Sequence, residues 1–181
     1  MYVGHLDDVH KGVGILLEAI QKLLSNYKDL LIKFEFCGEG PLKNKILMLK
    51  NLYPERIIYE GYIPNDKISF HYALSDIFLF TSRREPFGRV LIEALGGELI
   101  IICTKTIGSV EILKNKKFAY FINLNVQEIC EKILEIYMVW ENNYNQFRDL
   151  QKKAKIYARQ NFSLSNEIGD FKILINNISK I

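Results

Sequence analysis

The residues with the clearest chemical potential lie in the stretch "SRREPFGRVLIEA", residues 82–94. Glu85 comes just before a proline and a glycine, and Glu93 follows eight positions later within an apolar run. Pro86 suits the first turn of a helix, because the N–H group that proline lacks would be unsatisfied there. The two acids therefore flank a helix start, and Glu93 lies about two turns beyond Glu85. A ligand that meets both carboxylates must be long and must lie along the helix.

A nucleoside diphosphate sugar has the required shape, with a sugar at one end and a ribose and base at the other. One carboxylate could accept hydrogen bonds from sugar hydroxyls and the other from the ribose, while backbone N–H groups near Gly88 and the ammonium of Lys11 face the diphosphate. The simpler alternative for Glu85 is an acid that stabilises a helix N-terminus by about 0.3–1 kcal/mol. Glu93 is expected to be buried and to need a partner, because the run "VLIEAL" is otherwise apolar.

The elements that must position these residues follow from short apolar runs that alternate with stretches of helical period. Strands are predicted at residues 1–4, 30–38, 56–62, 76–82, 99–104 and 118–122, and helices at 13–24, 41–52, 64–74, 87–96, 109–115 and 126–140, with further helical pieces in 142–180. Such alternation predicts an α/β fold: a single Rossmann-like, doubly wound parallel sheet of about six strands, with helices on both faces and C-terminal helices. We expect one domain over residues 1–181.

Ligands of such sheets bind at the carboxyl ends of the strands, so the loops that follow each strand are the places to search. These loops contain Lys11 and Gly12 after the first strand, Gly38 after the second, and Tyr62 and Ile63 after the third. The stretch "GEGPLK" lacks the third glycine of a dinucleotide-binding fingerprint, which argues against NAD. Other parallel α/β proteins, such as an epimerase domain or a flavodoxin-like receiver, are weaker alternatives.

Composition narrows the function classes further. The net charge of +3 comes without a long basic block, so nucleic acid is not an expected partner. The most basic stretch, 148–159, predicts the solvated face of a late helix, with a peripheral membrane-surface patch as the alternative. No leader and no apolar run of about 18 residues is present, which favours a cytoplasmic location. Three isolated cysteines match no zinc or redox spacing, so no metal and no cofactor are expected.

Several motifs together resemble a known family. From "YVGHLDDVHKGVGILLEA" through "CGEGP", "IIYEGYIPND" and "HYALSDIFLFTSRREPFGRVLIEAL" to "GSVEIL", about residues 2–113, the chain resembles the C-terminal, donor-binding domain of family 4 (group 1) retaining glycosyltransferases of the GT-B fold. The resemblance implies metal-independent hexosyl transfer from a UDP- or GDP-linked sugar, as in polysaccharide biosynthesis. The N-terminal acceptor domain of that fold is absent from this sequence, so a partner chain or a missing domain is expected to supply the acceptor.

The resemblance also implies roles for individual residues. Lys11 would bind the donor diphosphate and Glu85 the sugar hydroxyls, and these two form the implied catalytic pair. Glu93 would bind the ribose. The remaining implied substrate-binding residues lie in the strand-end loops and the first turn of the helix: His5, Gly12, Gly38, Tyr62, Ile63, Phe87, Gly88 and Arg89.

Two departures from the family pattern stand out. His5 occupies the position where the family usually has an arginine, and a histidine is only partly protonated at neutral pH; Arg83, Arg84 or Arg89 could replace that cation. Glu98 stands at a usual glycine position, so Gly96 or Gly97 is expected to cap the preceding helix.

The first departure keeps open a second hypothesis, a non-catalytic or degenerate nucleotide-sugar-binding or scaffold module. A late apolar stripe is expected to pack on a partner domain or on the chain's own domain: Phe171, Leu174, Ile175 and Ile178.

Overall fold

The structure is a computed structural model and describes residues 1–162. Six strands and seven helices alternate until the last two helices, as the sequence predicts. Their bounds, in chain order, are β1 Tyr2–Val3, α1 Val13–Asn26, β2 Phe34–Cys37, α2 Lys43–Leu52, β3 Ile57–Gly61, α3 Ile68–Ala73, β4 Ile77–Phe80, α4 Arg89–Gly96, β5 Ile100–Thr104, α5 Ile107–Leu113, β6 Ala119–Ile122, α6 Val126–Asn142 and α7 Tyr144–Phe162.

All strand pairs are parallel, which confirms the predicted α/β class, but the expected single sheet is interrupted. The strands pair as β1-β2-β3 and as β4-β5-β6, in two three-stranded sheets. The two sheets meet at β1 and β4, where the Met1 amine donates to Ile77 O (2.5 Å) and Leu79 N donates to Met1 O (2.9 Å). The break in strand pairing lies at β1, which has only two residues, so that Met1, just before it, makes the backbone bonds to β4. The strand order reverses at this junction, which is where such folds form a ligand crevice.

The strands are shorter than predicted, and the segment before β2 shows why. A strand was expected from residue 30, but β2 begins at Phe34. The guanidinium of Arg56 donates to the carbonyl groups of Lys28, Leu30 and Ile32. These side-chain bonds hold the segment in place of a ladder, so its apolar composition alone overestimates the strand.

Helix α4 carries the residues that matter most for the site. Its core face buries Leu91, Ala94 and Leu95 against the sheet, and β5 behind it is buried throughout. Arg89 and Glu93 are exposed and stand four residues apart, so they lie on the same side of the helix. The packing of α4 therefore places a cation and an acid side by side on the outer surface.

The turn after α4 confirms a glycine as the cap, but the left-handed residue of the turn is not a glycine. Gly97 is the C-cap residue but has φ −78°, and the left-handed residue is Glu98 with φ 71°. Glu98 N donates to Leu95 O (3.1 Å) and Leu99 N donates to Ala94 O (3.0 Å), which is the bonding pattern of a Schellman motif. Gly97 thus caps the helix as predicted, while Glu98 itself takes the left-handed position that the family fills with glycine.

The basic stretch 148–159 lies within α7, as predicted for a helix. Several of its cations are paired: Arg148 and Lys155 with Glu98, and Lys153 with Asp149. Within residues 1–162 no helix has both the length and the hydropathy needed to cross a bilayer. The predicted apolar stripe Phe171, Leu174, Ile175 and Ile178 lies outside the described residues.

Candidate functional site

Lys11, in the loop between β1 and α1, is held by hydrogen bonds within that loop and by one from Thr81, just after β4. The carboxylate of Asp7 accepts the backbone N–H groups of His10 (2.6 Å) and Lys11 (3.3 Å), which folds the loop into a tight turn. Thr81 Oγ1 donates to Lys11 O (2.8 Å). Lys11 is therefore anchored beside the carboxyl end of β4. These bonds also occupy the carboxylate of Asp7, which a flavodoxin-like receiver would need free to bind a metal ion and phosphate. The receiver alternative is therefore weakened.

Gly12 has a packing role at this point. It caps α1 with φ 63°, and a Cβ atom there would lie 2.5 Å from Thr81 O and 2.7 Å from Leu124 Cδ2. Only glycine allows the start of α1 to approach β4 so closely. Gly12 thus contributes to the site by placing Lys11 rather than by lining a crevice.

Lys11 and Glu85 form the central polar contact of the site. Lys11 Nζ lies 2.6 Å from Glu85 Oε2, and Gly88 N donates to Glu85 Oε1 (3.3 Å). Burial alone would raise the pKa of Glu85, but the Lys11 ammonium and the N–H groups of Gly88 and Phe87 outweigh it and hold that pKa below its usual value. Glu85 is therefore an ionised carboxylate that the protein orients from two sides.

The start of α5 supports the loop that carries Glu85. Gly108 N donates to Glu85 O (3.1 Å), and a Cβ atom on Gly108 would lie 2.6 Å from the backbone of Phe87. Phe87 itself is 77% exposed. The loop thus holds its backbone rigidly against α5 while it presents an aromatic ring at the surface.

A crevice of about 570 Å³, here called the Glu85 crevice, opens above this ion pair. Six of the residues that line it were predicted from the sequence to bind donor: His5, Lys11, Glu85, Phe87, Gly88 and Arg89. Gly88 caps α4 with φ 71°, so the left-handed backbone that glycine favours directs the loop into the helix. Gly88, Arg89 and Val90, at the start of α4, line this crevice.

A second crevice of about 380 Å³, here called the Glu93 crevice, lies next to the first. Its lining includes six predicted residues: His5, Gly38, Tyr62, Ile63, Arg89 and Glu93. The two crevices share Val3, Gly4, His5, Arg89 and Val90. Together they form one elongated groove along α4, and each residue that the sequence singled out lines it except Gly12.

The wall of the Glu93 crevice depends on backbones in close contact. Gly38 has φ 147°, and a Cβ atom there would lie 1.9 Å from Gly4 O. Gly4 N donates to Cys37 O (3.0 Å), and Gly38 N donates to Gly61 O (2.6 Å). The loops after β1, β2 and β3 thus pack directly on one another, with no room for a side chain.

The environment of Glu93 differs from the prediction. Glu93 is exposed rather than buried, because its place on α4 faces the groove and not the core. Tyr72 OH, from α3, donates to Glu93 Oε2 (3.0 Å). Burial and the carboxylate of Glu93 both raise the pKa of Tyr72, so the phenol keeps its proton and remains a donor. Sequence reasoning gave Tyr72 no role, although it lies in the quoted stretch "HYALSDIFLFTSRREPFGRVLIEAL", because it reads as an ordinary core aromatic.

Among the three arginines considered as a replacement for the family's usual cation, the groove is lined by Arg89 alone. Arg83 Nε instead donates to Asp8 O (3.1 Å) in the neighbouring loop. Within residues 1–162, the guanidinium of Arg89 forms no hydrogen bond or ion pair, while Lys11 is paired with Glu85. Arg89 is therefore the source of unpaired positive charge in the middle of the groove.

A comparison with known families shows which family this chain belongs to. The model of the family "Glycosyl transferases group 1" matches residues 1–161. The chain belongs to this family. A glycogen synthase of Thermodesulfovibrio yellowstonii is 30% identical over 162 residues, 86% of this chain and 30% of that protein. The phosphatidylinositol N-acetylglucosaminyltransferase GPI3 subunit of Saccharomyces cerevisiae is 27% identical over 124 residues, 67% of this chain and 27% of that subunit.

A solved structure with the same fold is the pneumococcal O-GlcNAc transferase GtfA in complex with UDP and GlcNAc. It superimposes with a TM-score of 0.73 at 17% identity, over 98% of this chain and 35% of that one. The predicted glycosyltransferase group 1 domain and its GT-B-like fold are therefore confirmed. This glycosyltransferase domain spans about 30% of the length of the relatives it matches.

Proposed function

We propose that this glycosyltransferase domain binds a nucleoside diphosphate sugar stretched along α4, as the C-terminal donor-binding half of a family 4, retaining GT-B enzyme. The observation that carries the proposal is the continuous groove, which has the Lys11–Glu85 pair at one end and Glu93 at the other. An elongated ligand with a central anion and hydroxyl groups at both ends matches this distribution of charge.

Each part of the donor has a partner along the groove. The sugar hydroxyls donate to Glu85, whose carboxylate is already ionised and oriented. The diphosphate lies against Lys11, whose three N–H donors allow it to contact a phosphate while it keeps Glu85 in place. The ribose hydroxyls donate to Glu93, and the base lies beside Tyr62 and Ile63.

We assign the second cation on the diphosphate to Arg89. His5 stands where the family usually has an arginine, and Arg89 borders the same two crevices as His5. A guanidinium stays charged at any physiological pH and can bind phosphate oxygens with two parallel hydrogen bonds. Together with Lys11 it would stabilise the departing nucleoside diphosphate without a metal ion or cofactor.

The acceptor is proposed to bind elsewhere than on these 181 residues. The relatives extend well beyond the matched region, and one of them is named as a subunit. The rest of a longer protein or a partner chain would thus supply the acceptor and the other wall of the cleft. A cytoplasmic location, with or without peripheral contact to a membrane surface through 148–159, is part of the same proposal.

Titration of the chain with UDP, GDP and the corresponding monophosphates, by calorimetry or NMR, tests the proposal. We expect diphosphates to bind and monophosphates to bind at least about tenfold more weakly, since a charge-assisted hydrogen bond contributes about 1.5–3 kcal/mol. Arg89→Ala should weaken diphosphate binding, while the matched control Arg83→Ala should not. A folded chain that binds none of these nucleotides at millimolar concentration would contradict the proposal.

The second candidate is a nucleotide-sugar-binding module without transferase activity. His5 favours it, because the cation that the family pattern provides is missing at that position. The two candidates separate in an assay of the intact protein or complex with a UDP- or GDP-sugar. Binding without transfer, with transfer appearing in His5→Arg, would support the module, whereas transfer by the unmodified protein would exclude it.

A further inference from the structure

A further group of polar side chains lies where β2 meets α3, beside the Glu93 crevice, which one of them, Cys37, also lines. Its members are Glu35 and Cys37 from β2 and His71 from α3, and their ligand atoms all lie within 4.8 Å of one another. His71 Nδ1 is 2.6 Å from Glu35 Oε1. Among residues 1–162, this is the one group of three histidine, cysteine or acidic side chains whose ligand atoms come this close together.

The backbone explains why these three side chains converge. Glu35 and Cys37 are two residues apart on β2, so they project to the same face of the strand, while Phe34 and Phe36 project to the other. His71 lies on α3, which covers this face. Ser75 Oγ donates to Glu35 Oε2 (3.3 Å) and so orients the carboxylate from behind. Two rigid elements and a supporting hydroxyl therefore hold the group.

We propose that Glu35, Cys37 and His71 bind one divalent transition-metal ion, with zinc as the best match. An imidazole nitrogen, a thiolate and a carboxylate oxygen are the ligand types that zinc prefers. Glu35 and His71 are 17% and 18% exposed, which leaves an entry path and room for a water as fourth ligand. Ligand atoms around a tetrahedral zinc ion lie about 3.4 Å apart. Side-chain rotations that shift these ligand atoms by about 1 Å would therefore complete the site.

A simple hydrogen-bonded pair between Glu35 and His71 does not account for the thiol. Cys37 is 2% exposed, and its sulfur lies within 4.8 Å of ligand atoms of both Glu35 and His71. A metal ion would displace the thiol proton and turn the three side chains into one ligand set.

The ion would act as a structural clamp between α3 and β2. Tyr72, the residue after His71, donates to Glu93 in the groove, so the position of α3 decides where that hydroxyl points. Metal binding and nucleotide binding would then be coupled through α3, although the metal site itself stands whether or not the groove binds a nucleotide sugar.

Titration of the metal-free 181-residue chain with Co²⁺, and competition with Zn²⁺, tests the site. We expect one ion per chain, a near-ultraviolet charge-transfer band from thiolate to cobalt, and displacement of cobalt by zinc. Cys37→Ala should abolish the band, and Glu35→Gln and His71→Gln should each weaken binding at least about tenfold. Cys130→Ala and His10→Ala are matched controls that should change nothing.

Circular dichroism of each variant shows whether it is folded, and the near-isosteric Glu35→Gln and His71→Gln are expected to keep the fold if Cys37→Ala does not. Binding that lacks the charge-transfer band, binding that survives all three substitutions, or no binding at metal excess would overturn the proposal.

Discussion

The two ends of the groove differ in how their carboxylates are held. At the Glu85 crevice, the acid is bound by a lysine at 2.6 Å and by a backbone N–H group, and the supporting loop is tied to α5. At the Glu93 crevice, the acid is exposed and has one neutral hydrogen bond, from Tyr72 at 3.0 Å. One end is a preorganised ion pair and the other is an open carboxylate on a helix surface.

This difference indicates a division of labour along the groove. A carboxylate whose orientation is fixed before binding can select among hydroxyl positions, because misplaced hydroxyls cannot rearrange it. An exposed carboxylate with one partner can adapt, and it contributes affinity with less selectivity. On the proposed function, Glu85 would decide which sugar is accepted, and Glu93 would add affinity for the nucleoside that all such donors share.

The largest expected effect comes from the wall of the Glu93 crevice. Gly38→Ala should destabilise the chain by roughly 2–4 kcal/mol, because the new Cβ atom would meet Gly4 O at 1.9 Å at a φ of 147°. Gly96→Ala is the matched control, since a Cβ atom there meets nothing within 4 Å and alanine favours a helix. Urea unfolding of both variants measures the difference, and equal stabilities would show that these loops are loosely packed.

The next effect tests the ion pair at the other end. Lys11→Ala should weaken UDP or GDP binding by about 10–100-fold, since it removes a charge-assisted hydrogen bond and leaves Glu85 facing the phosphates. Lys153→Ala removes an exposed pair with Asp149, neither of which lines the groove, and serves as the control. Calorimetry measures both, and an unchanged affinity in Lys11→Ala would place the diphosphate elsewhere.

Smaller effects should separate the two acids. Glu93→Gln is expected to weaken binding of nucleoside diphosphates by about 3–10-fold, because it removes the charge that accepts hydrogen bonds from the ribose. Tyr72→Phe is expected to weaken binding by about 2–10-fold, because it removes the hydroxyl that orients Glu93. Glu85→Gln should leave nucleoside diphosphate affinity nearly unchanged and alter the preference among sugar donors. The proposed difference between the two acids would be contradicted if Glu85→Gln weakened the binding of nucleoside diphosphates as much as Glu93→Gln does.

The smallest effect is the pH dependence of stability at the Glu85 end. The pKa of Glu85 is lower in the folded chain than its ordinary value near 4.3, so its ionised form stabilises the fold. That stability is fully present above the ordinary pKa and is lost as the pH falls through the lowered one. The free-energy difference between the unmodified chain and Glu85→Gln should therefore shrink below about pH 4.3 in urea unfolding. A difference independent of pH would contradict the ion pair.

Much of this protein followed from local pattern. The six strands, the parallel pairing and a helix shortly after Glu85 were predictable, because hydrophobic period, proline and glycine act over a few residues. That helix begins at Arg89, however, and not at Phe87, so Pro86 lies before its first turn. The loops at the strand ends and the resemblance to a known family together brought eleven candidate residues to notice, and all but Gly12 line one groove. Local pattern failed for Glu93, which was expected to be buried, because an apolar neighbourhood along the chain says nothing about which side of a helix faces the core.

The contacts between those residues depended on the tertiary fold. Lys11 and Glu85 are 74 positions apart, Tyr72 and Glu93 are 21 apart, and Glu35 and His71 are 36 apart. Crossover connections in a parallel sheet bring such distant residues to one edge, and no short motif encodes which side chains then meet. Local sequence thus determines the residue types and the order of the elements. Ion pairs, unpaired charges and ligand sets arise only when the strands and helices pack together.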